Sequence, residues 1–143
     1  MATASGEILP QWRLMKTQIK VQDDCTLIEL SGYIDFEAMR PLAQSIEQIY
    51  RQNSGARVVI NLRGLSFVGS SGISSFVKTL KTFNRLSVKP SYCGLKSEFQ
   101  RMFRLFEDKD VFDICETEEV ARQTTRLRFA DWMTRSNDGE SST

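Results

Sequence analysis

The segment Arg57–Leu62, RVVINL, constrains the fold most. Successive side chains of a strand point to opposite faces, so a β-branched apolar run of this kind needs cover on both sides. The flanking sequence supplies that cover. Met39, Leu42, Ala43, Ile46, Ile49 and Tyr50 recur at helical spacing before the run, with Pro41 tolerable in a first turn, and the helix ends near the Asn53-Ser54-Gly55 turn. Ile73, Phe76, Val77, Leu80 and Phe83 give a second amphipathic helix after it.

The same alternation extends in both directions. Lys16–Val21 and Thr26–Leu30 form a predicted β-hairpin about Asp23-Asp24, and Gly32 marks a bend. Val88–Gly94 is a short strand carrying Pro90. A third helix follows, with Ser97 and Gln100 at capping-box spacing and Phe99, Met102, Phe103 and Phe106 on one face. Val111–Cys115 is a last strand, and Thr117 caps a final helix through Val120, Ala121 and Leu127 toward Trp132. The expected order is β-β-α-β-α-β-α-β-α, an α/β fold with an N-terminal hairpin and a mostly parallel central sheet flanked by helices. Residues 1–14 are expected to be a flexible arm, 15–134 one domain including the C-terminal helix, and 135–143 a disordered tail without apolar side chains.

Composition narrows the chemistry. The 143 residues suit one domain, and 19 Lys and Arg against 18 Asp and Glu leave a formal charge of +1. Nothing in that balance draws the chain as a whole to nucleic acid or to an anionic membrane, and neither is an expected partner. With 0 His, imidazole acid–base chemistry, His-containing triads and His-containing zinc sites are excluded. Cys25, Cys93 and Cys115 have no metal-ligand spacing and read as reduced thiols, Cys93 and Cys115 within apolar runs. No catalytic residue, cofactor or metal is expected. The absence of a secretion signal and of a long apolar span points to a cytoplasmic protein without membrane insertion.

The segment Leu65-Ser66-Phe67-Val68-Gly69-Ser70-Ser71-Gly72-Ile73 joins the buried strand to the second helix. Function in open α/β sheets gathers at the carboxyl ends of strands. A helix start there offers unpaired N–H groups and partial positive charge, so Ser70 or Ser71 is either a plain cap or part of a surface for a partner or an anion. The sequence lacks G-x-S-x-G, the Walker pattern and G-x-G-x-x-G. A nucleophilic Ser71 would need a Lys or carboxylate base that the sequence does not identify.

The run VVINLRGLSFVGSSGI, preceded by LSGYID and followed by helix, strand and helix, resembles a STAS domain of the anti-sigma factor antagonist type over about Met15 to Thr125. Gly32, Ile34 and Asp35 match an early motif, and Phe67, Ser70, Ser71, Gly72 and Ile73 match the serine motif. The acidic residue that the family carries before the two serines is Gly69 here. The resemblance implies the STAS fold and a non-catalytic, partner-switching role in signal transduction and transcription regulation. A regulatory serine kinase that doubles as an anti-sigma factor would bind the unphosphorylated chain, phosphorylation of Ser71 would release it, and a phosphatase would reset it. The surface so implied comprises Asp35, Gly69, Ser70, Ser71, Gly72, Ser74, Ser75 and Lys78. The alternative is an accessory subunit independent of phosphorylation, either partnering a lipid-transport ATPase or scaffolding a stress complex.

Charge and aromatic patterns leave further expectations. Lys78, Lys81 and Arg85 form a basic stripe on the second helix, either a solvated face or a feature that steers an acidic partner or holds a phosphate. Asp35 is a helix cap or a partner contact. Phe99, Phe103 and Phe106 read as core. Trp12 and Trp132 either pack an arm on the domain or join a self-association surface.

Overall fold

The computed structural model describes residues 16–22, 25–34, 39–67, 69–106 and 112–141. The order is β1 (Lys16–Val21), β2 (Thr26–Ile34), α1 (Met39–Gln52), β3 (Val58–Phe67), α2 (Gly69–Phe83), β4 (Ser91–Cys93), α3 (Ser97–Phe106), β5 (Asp113–Cys115) and α4 (Glu118–Ser141). The alternation expected from the sequence is the one observed. The strands form one sheet in the order β1-β2-β3-β4-β5. β1 runs antiparallel to β2, and every other neighbouring pair is parallel.

Sequential order dictates where the helices lie. Each parallel crossover steps the same way along the sheet, and right-handed crossovers place α1, α2 and α3 on one face. Burial follows that rule. Ile28, Leu30, Val58, Ile60, Leu62 and Tyr92 meet the apolar faces of the three helices in one cluster. Leu27, Val59 and Cys93 point the other way and pack with Cys25 and with Ala121 of α4. Val58, Val59 and Ile60 are all 0% exposed, so β3 is covered on both faces as its sequence requires. Phe103 binds α3 into the core, 5.8 Å from Phe76 and 6.3 Å from Phe112 between ring centroids.

Several boundaries differ from the sequence expectation. β2 continues through Gly32, at φ 90°, as far as Ile34, because β3 offers it partners up to Phe67. Pro90 precedes β4, so its missing N–H leaves the internal strand intact. The capping box at α3 is not formed. The Lys96 carbonyl accepts from Gln100 N–H, which makes Ser97 the first helical residue, and the Gln100 amide donates to the Leu95 carbonyl at 2.9 Å. Thr117 does cap α4, accepting from Val120 N–H at 3.1 Å. The inner face of α4 is Ala121, Thr125, Phe129 and Trp132, whereas Val120 and Leu127 are exposed, since apolar residues on this helix do not share one face.

The C-terminal helix also outruns the expected boundary at residue 134, reaching Ser141, with Arg135 and Asp131 paired one turn apart at 2.7 Å. Residues 1–14, Asp23, Asp24 and Asp35 lie outside the described residues. Phe99 packs against the core as expected; the side chains of Met102 and Phe106 are not among those described.

Two outcomes follow. Gly94 has φ +78°, and a Cβ there would stand 2.7 Å from Asn61 Oδ1 and 2.9 Å from Arg63 N. Gly94→Ala is expected to cost about 2–3 kcal/mol, seen as a lower urea midpoint at unchanged slope; an unchanged midpoint would contradict this packing. The Cys93 thiol is pushed up to about 12, chiefly by burial and then by the Glu118 carboxylate. Native-state alkylation at pH 8 is therefore expected to label half-exposed Cys115 well before buried Cys93, with Cys93 reacting only on unfolding.

Candidate partner-binding site at the strand–helix junction

The junction is built by an irregularity in β3. Val58, Ile60 and Leu62 face the core at alternate positions, and the next core residue is Leu65, three places on. The pairing shows the cause: Glu29 aligns with Asn61 but Ser31 aligns with Gly64, so β3 carries one extra residue there. Asn61 accepts from Arg63 N–H at 2.9 Å and so satisfies part of the distorted ladder. At Gly64 a Cβ would stand 2.8 Å from Ser31 Cβ, and the missing side chain lets the strands stay paired. The bulge returns Leu65 to the core and carries the strand on to Phe67.

β2 and β3 end together. Ile34 pairs with Phe67 in parallel register, so the segments leaving both strands depart from the same edge of the sheet. Asp35 follows Ile34 directly and lies outside the described residues. On β3 the connection is shorter than the sequence suggests: α2 begins at Gly69 rather than near Ile73. Ser70, Ser71 and Gly72 thus occupy the first helical turn, past the cap position at which either serine was expected. The side chains of residues 67–72 are not among those described.

The rest of α2 holds that turn in place. Ile73, Phe76, Val77, Leu80 and Phe83 recur at i, i+3, i+4, i+7 and i+10 and are all 4% exposed or less. Each such side chain contributes roughly 1.5–3 kcal/mol when buried, far more than any single hydrogen bond at the helix start. Ser74 and Ser75 are half-buried, with the Ser75 carbonyl accepting from Thr79 Oγ1 at 3.1 Å, and Lys78 is exposed. The first turn contains no acidic residue of its own, so its own sequence supplies no carboxylate to the positive end of the dipole.

The structure brings Gly69, Ser70, Ser71, Gly72, Ser74, Ser75 and Lys78 onto this one helix. It does not form the full basic stripe. Lys81 is half-buried, and Arg85 lies beyond the end of α2 at Phe83, about 20 Å along the chain axis from Ser71. Asn61, Arg63 and Gly64 escaped the sequence reading, although the spacing of Leu62 and Leu65 breaks the two-residue period and is the signal for the bulge. Strongly displaced titrations lie elsewhere: burial pushes the Tyr50 and Tyr92 hydroxyls up, and Tyr50 donates to the Val88 carbonyl at 2.5 Å. Among the described residues, no group of three or more His, Cys, Asp or Glu is placed to hold a metal ion, and no helix is long and apolar enough to cross a membrane.

Comparison with known proteins agrees with this architecture. An anti-sigma-B factor antagonist of Staphylococcus aureus is 24% identical over 106 residues, covering 74% of this chain and 97% of its own length. The crystal structure of an anti-sigma factor antagonist from Mycobacterium paratuberculosis superposes with a TM-score of 0.61 at 21% identity, over 80% of this chain and 96% of that one. The Bacillus cell fate determinant SpoIIAA in its phosphorylated form gives 0.54 at 21% identity, over 78% and 99%. The family model of the STAS domain matches residues 16–121, from the start of β1 to the first turn of α4, and the chain therefore belongs to the STAS domain family.

Proposed function

We propose that this chain is a non-catalytic partner-switching regulator that binds a regulatory serine kinase acting as an anti-sigma factor. The docking surface comprises the first turn and outer face of α2, Gly69, Ser70, Ser71, Gly72, Ser74, Ser75 and Lys78, together with Asp35. The observation that carries the reading is the placement of Ser70 and Ser71 in an acid-free first helical turn at the shared edge of β2 and β3. Relatives named anti-sigma-B factor antagonists support the class of partner, and the phosphorylated SpoIIAA structure supports a fold compatible with that modification.

Physical chemistry explains how such a switch works. A phosphate on Ser71 adds about −1.5 to −2 charges at neutral pH. At the start of α2 the dipole and unpaired N–H groups favour that charge by up to ~1 kcal/mol, so the domain keeps its fold. The penalty falls on the interface, where a flat or acidic partner surface meets a new, poorly compensated charge. A loss of about 3 kcal/mol there weakens binding by roughly a hundredfold. A phosphatase acting on the released form restores docking.

Gly69 favours one second reading. The family places an acidic residue there, and its absence is compatible with constitutive docking by an accessory subunit that is never phosphorylated.

Affinity capture from native extract with wild type, Ser71→Ala and Ser71→Asp separates the two. A kinase-like protein is expected on wild type and Ser71→Ala and at least tenfold depleted on Ser71→Asp, with phosphate on wild-type Ser71 by mass spectrometry and a Ser71→Asp melting temperature near wild type. Equal capture by all three, with Ser71 unmodified, would overturn the switch in favour of the accessory subunit.

A further inference from the structure

β1 is a lateral edge strand whose six residues, Lys16–Val21, are all exposed, and among the described residues nothing pairs with its outer side. The opposite edge is blunted: β5 has three residues, and Asp113 at its start is held by Arg128 at 2.8 Å. A long open edge is a template for another strand. We propose that β1 is the interface of a twofold dimer, pairing antiparallel with β1 of a second copy of this chain in the register that sets Ile19 opposite Ile19.

Backbone geometry fixes which groups are free. Gln22 N–H donates to the Cys25 carbonyl at 2.9 Å, and the pairing of Val21 with Thr26 continues that ladder. Hydrogen-bonded pairs alternate along an antiparallel ladder, so Lys16, Gln18 and Lys20 direct their backbone groups at β2, while Thr17, Ile19 and Val21 turn theirs to the open side. Side chains alternate as well. Thr17 and Ile19 pair with Leu30 and Ile28 and stand, with Val21, on the face that carries the main core. Lys20 pairs with Leu27 and stands, with Lys16 and Gln18, on the α4 side.

Those two alternations select one register. A twofold pairing within one sheet keeps each face continuous, so the axis falls on a residue and not between two. Centred on Gln18, it sets Lys16 against Lys20 of the other copy; centred on Lys20, it sets that lysine against itself. Like charges directly opposite are destabilising. Centred on Ile19, it sets Lys20 against Gln18, Lys16 against Gln22 and Thr17 against Val21, and it is the register in which all three outward-facing residues find a partner. Lys20 is also drawn to Glu29 of its own β2 at 3.1 Å, which offsets its charge at the seam.

The apolar side chains fit the same occupant. Val21 is 84% and Ile19 45% exposed, on one face of the strand. In the dimer the two Ile19 side chains meet at the axis, and Val21 of each copy lies across from Thr17 of the other, a row of β-branched cross-strand pairs. An edge complementary to itself under a twofold is matched by a second copy. The carboxyl ends of β2 and β3 point in opposite directions in the two copies, so both serine turns stay open.

Sedimentation velocity of the full chain over roughly 1 to 200 µM tests this. Wild type is expected to shift reversibly from monomer to dimer as concentration rises. Ile19→Lys and Ile19→Glu, at an exposed position, are each expected to weaken the dimer roughly tenfold or more at an unchanged melting temperature. An equimolar mixture of the two is expected to recover it, because residue 19 faces itself across the axis. Val21→Pro removes an outward N–H without touching the bonds to β2 and is expected to weaken the dimer similarly. Leu127→Lys, at an exposed apolar position on α4, should leave it unchanged. A wild type that stays monomeric throughout, its edge left to another protein's strand or to none, would overturn the proposal. So would a mixture of the two Ile19 variants no more associated than either alone, or a dimer lost in Leu127→Lys.

Discussion

The burial of β3 on both faces is the constraint on which the rest of the structure depends. Val58, Val59, Ile60, Leu62 and Leu65 are each 1% exposed or less. At roughly 2 kcal/mol apiece their burial amounts to about 10 kcal/mol, the size of the whole net stability of a typical domain. That gain exists only if β2 and β4 flank the strand, helices cover one face, and α4 helps cover the other. The same strand then delivers the serine turn to the edge of the sheet. The candidate site is therefore anchored by a strand whose first three residues are fully buried, and a change of charge at its tip has little leverage on the core.

Much of this was legible in the sequence because the signals are periodic. The element order, the parallel interior, the core faces of α1 and α2 and the Thr117 cap follow from spacing and from residue types with definite conformational roles. Readings that depended on which of several equivalent partners a group would choose did worse. Gln100 satisfies the Leu95 carbonyl instead of a capping box, and α4 turns Ala121 and Thr125 inward while Leu127 stays in solvent. Tertiary context decides such cases, since each alternative differs by no more than about 1 kcal/mol locally.

The candidate site shows the same division. The serine motif and its place between strand and helix stood out, whereas the length of the connection did not, because pairing with β2 extends β3 to Phe67 and α2 begins at Gly69. Helical spacing groups Arg85 with Lys78 and Lys81, but α2 stops at Phe83 and Arg85 lines a cavity with residues more than forty positions away. A cavity assembled from two distant segments has no local pattern. The serine turn, by contrast, is a local pattern on one strand and the helix that follows it.

The central claim is that charge at Ser71 changes the docking surface and leaves the fold intact. A backbone amide NMR map of the chain with phosphoserine installed at residue 71, compared with the unmodified chain, tests it most directly. The account predicts shifts confined to the ends of β2 and β3 and the first turns of α2, with the amides of 58–62 and 91–93 unmoved. Shifts spread through those core strands, or loss of their dispersion, would contradict it.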